Sequence, residues 1–210
     1  MGRSVTEKGR ANLNLPNTLT LFRVLLIPVF IFVLSTSIPF NLSLSDRAFI
    51  AALIFLVASI TDVLDGYIAR KTGQITKMGK LFDPIADKLL TSSALILLVA
   101  LNEKVPAWIA IIIIGREFAV TGLRAAASSE GYIIPAYEGG KAKMFFQIVA
   151  IISMLVSMDI KRSGFLNTNL GLDAYLIGTV ALWMSLFLAV ASGIQYFVNF
   201  WDKIGLSEGR

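Results

Sequence analysis

At 210 residues, 56% of them apolar and only 16% charged, with a mean hydropathy of +0.74, the chain is too apolar for a soluble domain of its size. It contains neither cysteine nor histidine, which excludes disulfides, thiolate or imidazole metal sites and imidazole-assisted nucleophiles. Any chemistry must rest on carboxylates, lysine, arginine, hydroxyls or an oxygen-bound cation. The net charge of +5 suits anionic lipid headgroups or phosphate substrates, and no nucleic-acid partner is expected.

A helix needs about 20 apolar residues to cross the hydrocarbon of a bilayer. Six stretches qualify in chain order: 18–34, 47–64, 84–101, 106–124, 142–158 and 172–198. The expected fold is therefore an all-α integral membrane protein with six transmembrane helices in one bundle. Basic residues precede the first stretch as in a signal peptide, but no small-x-small cleavage site follows, and five more spans do. With the N-terminus inside, the inner segments hold 12 of the 19 basic residues, so both termini are expected on the cytoplasmic side of a cytoplasmic (inner) membrane. That divides the chain into an N-terminal segment 1–17, a six-helix domain 18–198 and a C-terminal tail 199–210, with no internal repeat or linker. Loose matches to a myristoylation consensus at Met1–Thr6 and a glycosylation sequon at Asn41–Ser43 are expected to be chance.

Ionisable groups at membrane depth are costly, so each is a functional candidate. Four of the 14 acids cluster around the second and third spans as Asp62-x2-Asp65-Gly66-x2-Ala69-Arg70-x8-Gly79-x3-Asp83-x3-Asp87. Asp62 and Asp65 share one helix face at i, i+3, and Asp83 and Asp87 share another at i, i+4. The short link predicts antiparallel neighbouring helices on which the four carboxylates converge. Four such charges would repel one another unless a divalent cation or two lay among them, and an all-oxygen set suits Mg²⁺ or Mn²⁺. Gly66, Ala69 and Gly79 leave room for a flat ligand near the backbone, and Arg70 offers a cation for phosphate. The bland alternative is a set of carboxylates neutralised by Arg70, Lys71 and Lys88 to tie the helices together.

This eight-position pattern resembles the signature of the CDP-alcohol phosphotransferase family. The resemblance implies a six-helix membrane fold, usually homodimeric, that moves a phosphoalcohol group from a CDP-linked donor to an alcohol and releases CMP. It further implies two divalent cations held by Asp62, Asp65, Asp83 and in part Asp87, with Asp87 as general base. Gly66, Ala69, Arg70, Thr76 and Gly79 would meet the CDP moiety. The segment Leu15-Pro16-Asn17-Thr18-Leu19-Thr20-Leu21-Phe22-Arg23 is similar to the start of the family's first helix, where Asn17 and Thr20 face the nucleotide; Asn17 is equally suited to cap that helix.

Gly115-Arg116-Glu117-Phe118-Ala119-Val120-Thr121-Gly122-Leu123-Arg124, followed by Gly139-Gly140-Lys141-Ala142-Lys143, resembles the branch of that family whose acceptor is sn-glycerol 3-phosphate and whose donor is CDP-diacylglycerol. Arg116 and Arg124 lie about two turns apart. With Lys141 they would form a basic pocket for a dianionic phosphate. The alternative for Arg116, Arg124 and Lys143 is anchoring at the membrane interface, with their charged heads reaching toward water. Inositol-phosphate acceptors would also fit such a pocket. From other classes, a small cation transporter would need acids spread across membrane depth, and a membrane prenyltransferase would need two separated aspartate-rich motifs. The stripe Ser185, Ala189, Gly193 would allow close helix approach, within the chain or at a dimer face, and Trp108, Trp183 and Trp201 are expected in the core or as interface anchors.

Overall fold

The computed structural model describes residues 15–36, 42–72, 77–102, 105–129, 139–163 and 168–208. These form six α-helices: α1 Leu15–Ser35, α2 Leu44–Thr72, α3 Lys77–Leu101, α4 Ala107–Ser129, α5 Gly139–Ser163 and α6 Thr168–Glu208. No strand occurs among the described residues. Each expected span lies in one helix, but the helices outrun the apolar stretches. Backbone hydrogen bonding continues where hydrophobicity stops, so α2 carries on from residue 64 to Thr72, and α6 takes in most of the expected tail, through Glu208.

Local chemistry sets several helix ends. Before α2, Ser43 Oγ accepts from the Asp46 backbone N–H, while Asp46 Oδ2 accepts from the Ser43 N–H and hydroxyl, a reciprocal capping box. Arg47 Nη1 reaches back 3.4 Å to the Leu34 carbonyl, one of the orphan acceptors at the end of α1. Pro28 stands inside α1, where it removes one ladder donor.

Packing closes the helices into a ring in the order α1, α3, α4, α6, α5, α2, with α3 also touching α5 and, slightly, α2 across the interior. The expected neighbours α2 and α3 do touch, though only slightly. The two are consecutive in sequence, yet α1 packs against both more closely than they pack against each other, and α5 packs against α2 as closely as α1 does. Small buried residues on α2 (Ala48, Ala51, Ala52, Ala58) permit this crowding, and Phe30 of α1 lies against Phe55 of α2 with ring centroids 6.0 Å apart.

The radial polarity is inverted relative to a soluble protein. Large apolar side chains cover the outside, among them Leu25 at 60%, Ile96 at 58%, Ile111 at 68% and Phe187 at 67% exposure. Arg23, Lys143, Gln147, Ser185 and Ser192 are buried instead. Such an exterior is at home in hydrocarbon and would aggregate in water. By length and composition, Leu44–Leu64 and Leu172–Trp201 are long and apolar enough to cross a membrane, and Thr20–Ser35 and Ala142–Met158 are shorter apolar stretches. In α3 and α4 the apolar run is interrupted by Asp87 and Lys88 and by Arg116, Glu117 and Arg124.

Several interior hydroxyls bond within their own helices: Ser59 donates to the Phe55 carbonyl, Thr61 to Val57, Thr91 to Asp87 and Thr179 to Tyr175, whereas the Ser185 hydroxyl has no partner among the described residues. The Ser185, Ala189, Gly193 stripe packs inside the chain. Ser185 and Ala189 are fully buried, and a Cβ added at Gly193 would meet Arg116 Cγ at 3.2 Å. The tryptophans are not core residues. Trp108 and Trp183 meet edge-on at 5.6 Å on the outer surface, and Trp201 is 68% exposed beside Phe197.

Candidate active site

Polar residues from all six helices gather toward one end of the ring. Arg23, near the start of α1, is completely buried and its Nη1 lies 2.6 Å from Asp62 Oδ1 on the last third of α2. A buried guanidinium needs a partner of opposite charge, and Asp62 supplies it. Asp87 on α3 is partly buried, with Lys88, Arg23 and Lys143 close enough for their charges to act on it. Arg23 of α1 thus pairs with the Asp62 carboxylate of α2, and its charge also acts on Asp87 of α3.

A second cluster joins α4, α5 and α6. Arg116 Nη1 lies 3.1 Å from Glu117 Oε1, and its Nη2 donates to Ser192 Oγ at 2.8 Å. Its guanidinium carbon sits 5.9 Å from the centroid of the Tyr196 ring, within cation–π range. Lys143, only 5% exposed, forms an ion pair with the same Glu117 oxygen. Lys88 feels the charges of both Arg116 and Arg124, and Lys143 those of Arg116, Asp87 and Lys88. The two clusters thus adjoin, with Asp87, Lys88 and Lys143 as the link.

Of the residues singled out from sequence, Asp62, Asp87, Thr20, Arg116 and Arg124 have described side chains. Thr20 is buried, three residues before Arg23 and on its helix face. Arg124 is exposed, compatible with either a pocket rim or an interface anchor. Lys143 does not reach toward water as an anchoring lysine would; it turns inward. Asn17, Asp65, Gly66, Ala69, Arg70, Gly79, Asp83 and Lys141 lie on α1, α2, α3 and α5, with side chains outside the described set, and Thr76 is outside the described residues. Among the described residues no group of three or more metal-ligating side chains assembles, the side chains of Asp65 and Asp83 not being among them. The donors that are described, carboxylate oxygens of Asp62 and Asp87, fit a hard divalent cation.

Sequence reasoning passed over Arg23, Glu117, Lys143, Ser192 and Tyr196 as site residues. For the first three the signal was present, each being an ionisable group inside an apolar stretch. Ser192 and Tyr196 carry no such mark; only the α4 and α6 contact brings them to Arg116.

An all-helical bundle with an apolar exterior and a charged interior end is the architecture of a membrane-embedded helical protein with an internal polar site. The sequence profile of the CDP-alcohol phosphatidyltransferase family matches residues 13–191, and the chain belongs to that family. The family is membrane-associated and uses divalent metal ions. Among similar proteins, one from Bacillus subtilis (strain 168) is 39% identical, over 93% of this chain and 99% of the relative. One from Rickettsia felis is 37% identical over 90% of this chain and 96% of its own length. A third, from Haemophilus influenzae, is 36% identical over 86% and 94%. All three bear the name CDP-diacylglycerol–glycerol-3-phosphate 3-phosphatidyltransferase.

Proposed function

We propose that the chain transfers the phosphatidyl group of CDP-diacylglycerol to sn-glycerol 3-phosphate, giving phosphatidylglycerol phosphate and CMP in phospholipid synthesis. The observation that carries this reading is the near end-to-end similarity to relatives named for that reaction, 39% identical over 93% of the chain in the Bacillus subtilis case. All six helices would cross the cytoplasmic membrane as the domain 18–198, with both termini and the site on the cytoplasmic side and two chains forming a homodimer.

In this reading Asp62, Asp65, Asp83 and Asp87 hold two divalent cations, Mg²⁺ or Mn²⁺. When bound, the cations offset the charge of the donor's diphosphate and stabilise the departing CMP. Asn17, Thr20, Gly66, Ala69, Arg70, Thr76 and Gly79 receive the CDP-diacylglycerol headgroup, the small residues letting it approach the backbone and Arg70 pairing with phosphate. Arg116, Arg124 and Lys141 hold the phosphate of the acceptor through charge-assisted hydrogen bonds. Asp87 takes the proton from the acceptor hydroxyl. The freed oxygen bonds to the phosphorus that carries the diacylglycerol, and the bond from that phosphorus to CMP breaks, in one displacement. The closeness of Asp87 to Lys143, and of Lys143 to Arg116, supports placing base and acceptor phosphate side by side.

The test is CMP release by the purified protein with CDP-diacylglycerol and a panel of alcohols. Release is expected with sn-glycerol 3-phosphate and not with inositol or choline. No release, or a preference for inositol phosphate, would overturn the assignment. A donor with a chiral phosphorus is expected to react with inversion; net retention together with acceptor-independent exchange of labelled CMP would make an aspartate a covalent nucleophile.

A further inference from the structure

The acceptor cations are not free-standing. Arg116 and Lys143 come from different helices, yet both end on one carboxylate oxygen, Oε1 of Glu117. Two cations brought together inside an apolar bundle repel, and each pays for lost hydration. One shared carboxylate removes most of that conflict and fixes how far apart the cations sit. It leaves one net positive charge, as well as N–H donors that a single oxygen cannot use up, because an ammonium has three and a guanidinium five.

The far side of Arg116 is held just as closely. Ser192 gives its one hydroxyl proton to the Leu188 carbonyl, so its oxygen faces Arg116 as an acceptor. Gly193 lacks the Cβ that would press on Arg116 Cγ, and the Tyr196 ring lies over the guanidinium. Arg116 Nε is buried and has no hydrogen-bond partner among the described residues. The planar fork is therefore oriented from α4 and α6 together, and Lys143 is locked to it from α5.

We propose that Glu117 is the positioning residue of the acceptor pocket, bridging Arg116 and Lys143 so that both cations are pre-set to grip the phosphate of the acceptor, and that Lys143 is a further residue of that grip. This rests on the acceptor assignment made above and deepens it. Glu117 itself touches no substrate. It acts by holding two cations at a fixed spacing, so that binding the acceptor requires no rearrangement of buried charge.

The experiment uses the full-length enzyme reconstituted in lipid nanodiscs with Mg²⁺, and measures kcat and both KM values. Glu117→Gln is expected to raise KM for sn-glycerol 3-phosphate about tenfold or more, with KM for CDP-diacylglycerol changed less than about twofold. Glu117→Asp, which keeps the charge, should recover most of the loss. Lys143→Gln should show the same acceptor-only effect, and the Glu117→Gln/Lys143→Gln double variant should lose less than the product of the two single effects, since the contact between Glu117 and Lys143 is missing in both. An unchanged acceptor KM in Glu117→Gln, an equal rise for both substrates, or additive single effects would overturn the proposal. Should Glu117→Gln fail to fold, Lys143→Gln and Glu117→Asp decide alone: a wild-type acceptor KM in Lys143→Gln refutes the bridge. Arg124→Gln separates the two levels. If it raises the acceptor KM while Glu117→Gln and Lys143→Gln do not, the bridge is wrong and the pocket stands; if none of the three does, the acceptor assignment itself has failed.

Discussion

At the scale of single residues, the contact between Arg23 and Asp62 changes what substitution of the aspartates should do. Asp62 is at once a proposed metal ligand and the counterion of a fully buried arginine. Removing one partner of a buried pair costs more than the pair contributes, because the other charge is stranded. Asp62→Asn should therefore abolish turnover and also lower stability, by about 2–3 kcal/mol, whereas Asp83→Asn should abolish turnover through the weaker ligand alone. Arg23→Met leaves carboxylates in need of a cation, so its thermal midpoint should recover on adding Mg²⁺ or Mn²⁺, and that of Asp62→Asn should not. Melting curves of the purified variants with and without metal check this. A midpoint for Arg23→Met that ignores metal would mean that Asp62 does not face a cation site.

At the scale of elements, the described glycines of α4 and α6 fall into three kinds that their spacing does not distinguish. A Cβ at Gly178 would lie 3.0 Å from Met154 Cγ and 3.1 Å from the Met154 backbone nitrogen, so a side chain there would require α5 to give way slightly. Gly178→Ala should lower stability by about 1–3 kcal/mol, since backbone cannot move aside cheaply. At Gly193 the obstructing atom belongs to the Arg116 side chain. Alanine there should disturb the acceptor KM more than the melting temperature. Gly115 and Gly122 have nothing within 4 Å, and Gly115→Ala should be neutral or stabilising by up to about 1 kcal/mol through helix propensity. Thermal unfolding of the three variants side by side tests the ranking, and equal losses at Gly178 and Gly115 would contradict the helix packing described.

For the whole molecule, the apolar exterior makes the bilayer part of the fold: large apolar side chains face outward on every helix, while Arg23 and Lys143 are buried. The proposed orientation is open to a labelling test, because the chain has no cysteine and any single one introduced is unique. Ser43 is unsuitable, being the cap of α2. Leu42→Cys, next to it, should react with an impermeant thiol reagent on intact cells, and Lys71→Cys at the other end of α2 should react only after lysis. The reverse pattern would place the site on the face away from a soluble cytoplasmic acceptor.

How much of this could be read from sequence depended on whether a property was local. Hydrophobic run length and charge bunching were enough for six helices, because a segment's preference for hydrocarbon is a sum over its own residues. The aspartate spacing pointed to the family, since helical periodicity places residues three and four apart on one face whatever the surroundings. Apolar run length does not show where the helices end, because helices do not stop where apolarity does, and nearness in sequence does not show that α2 and α3 would touch only slightly. Tertiary structure alone decided that α1 packs against both, that Lys143 turns inward to Glu117, and that Ser192, 76 positions away in sequence, and Tyr196 hold Arg116. The physical reason is that a buried charge chooses its partner by the free energy of leaving water, and the partner within reach is fixed by how the helices pack.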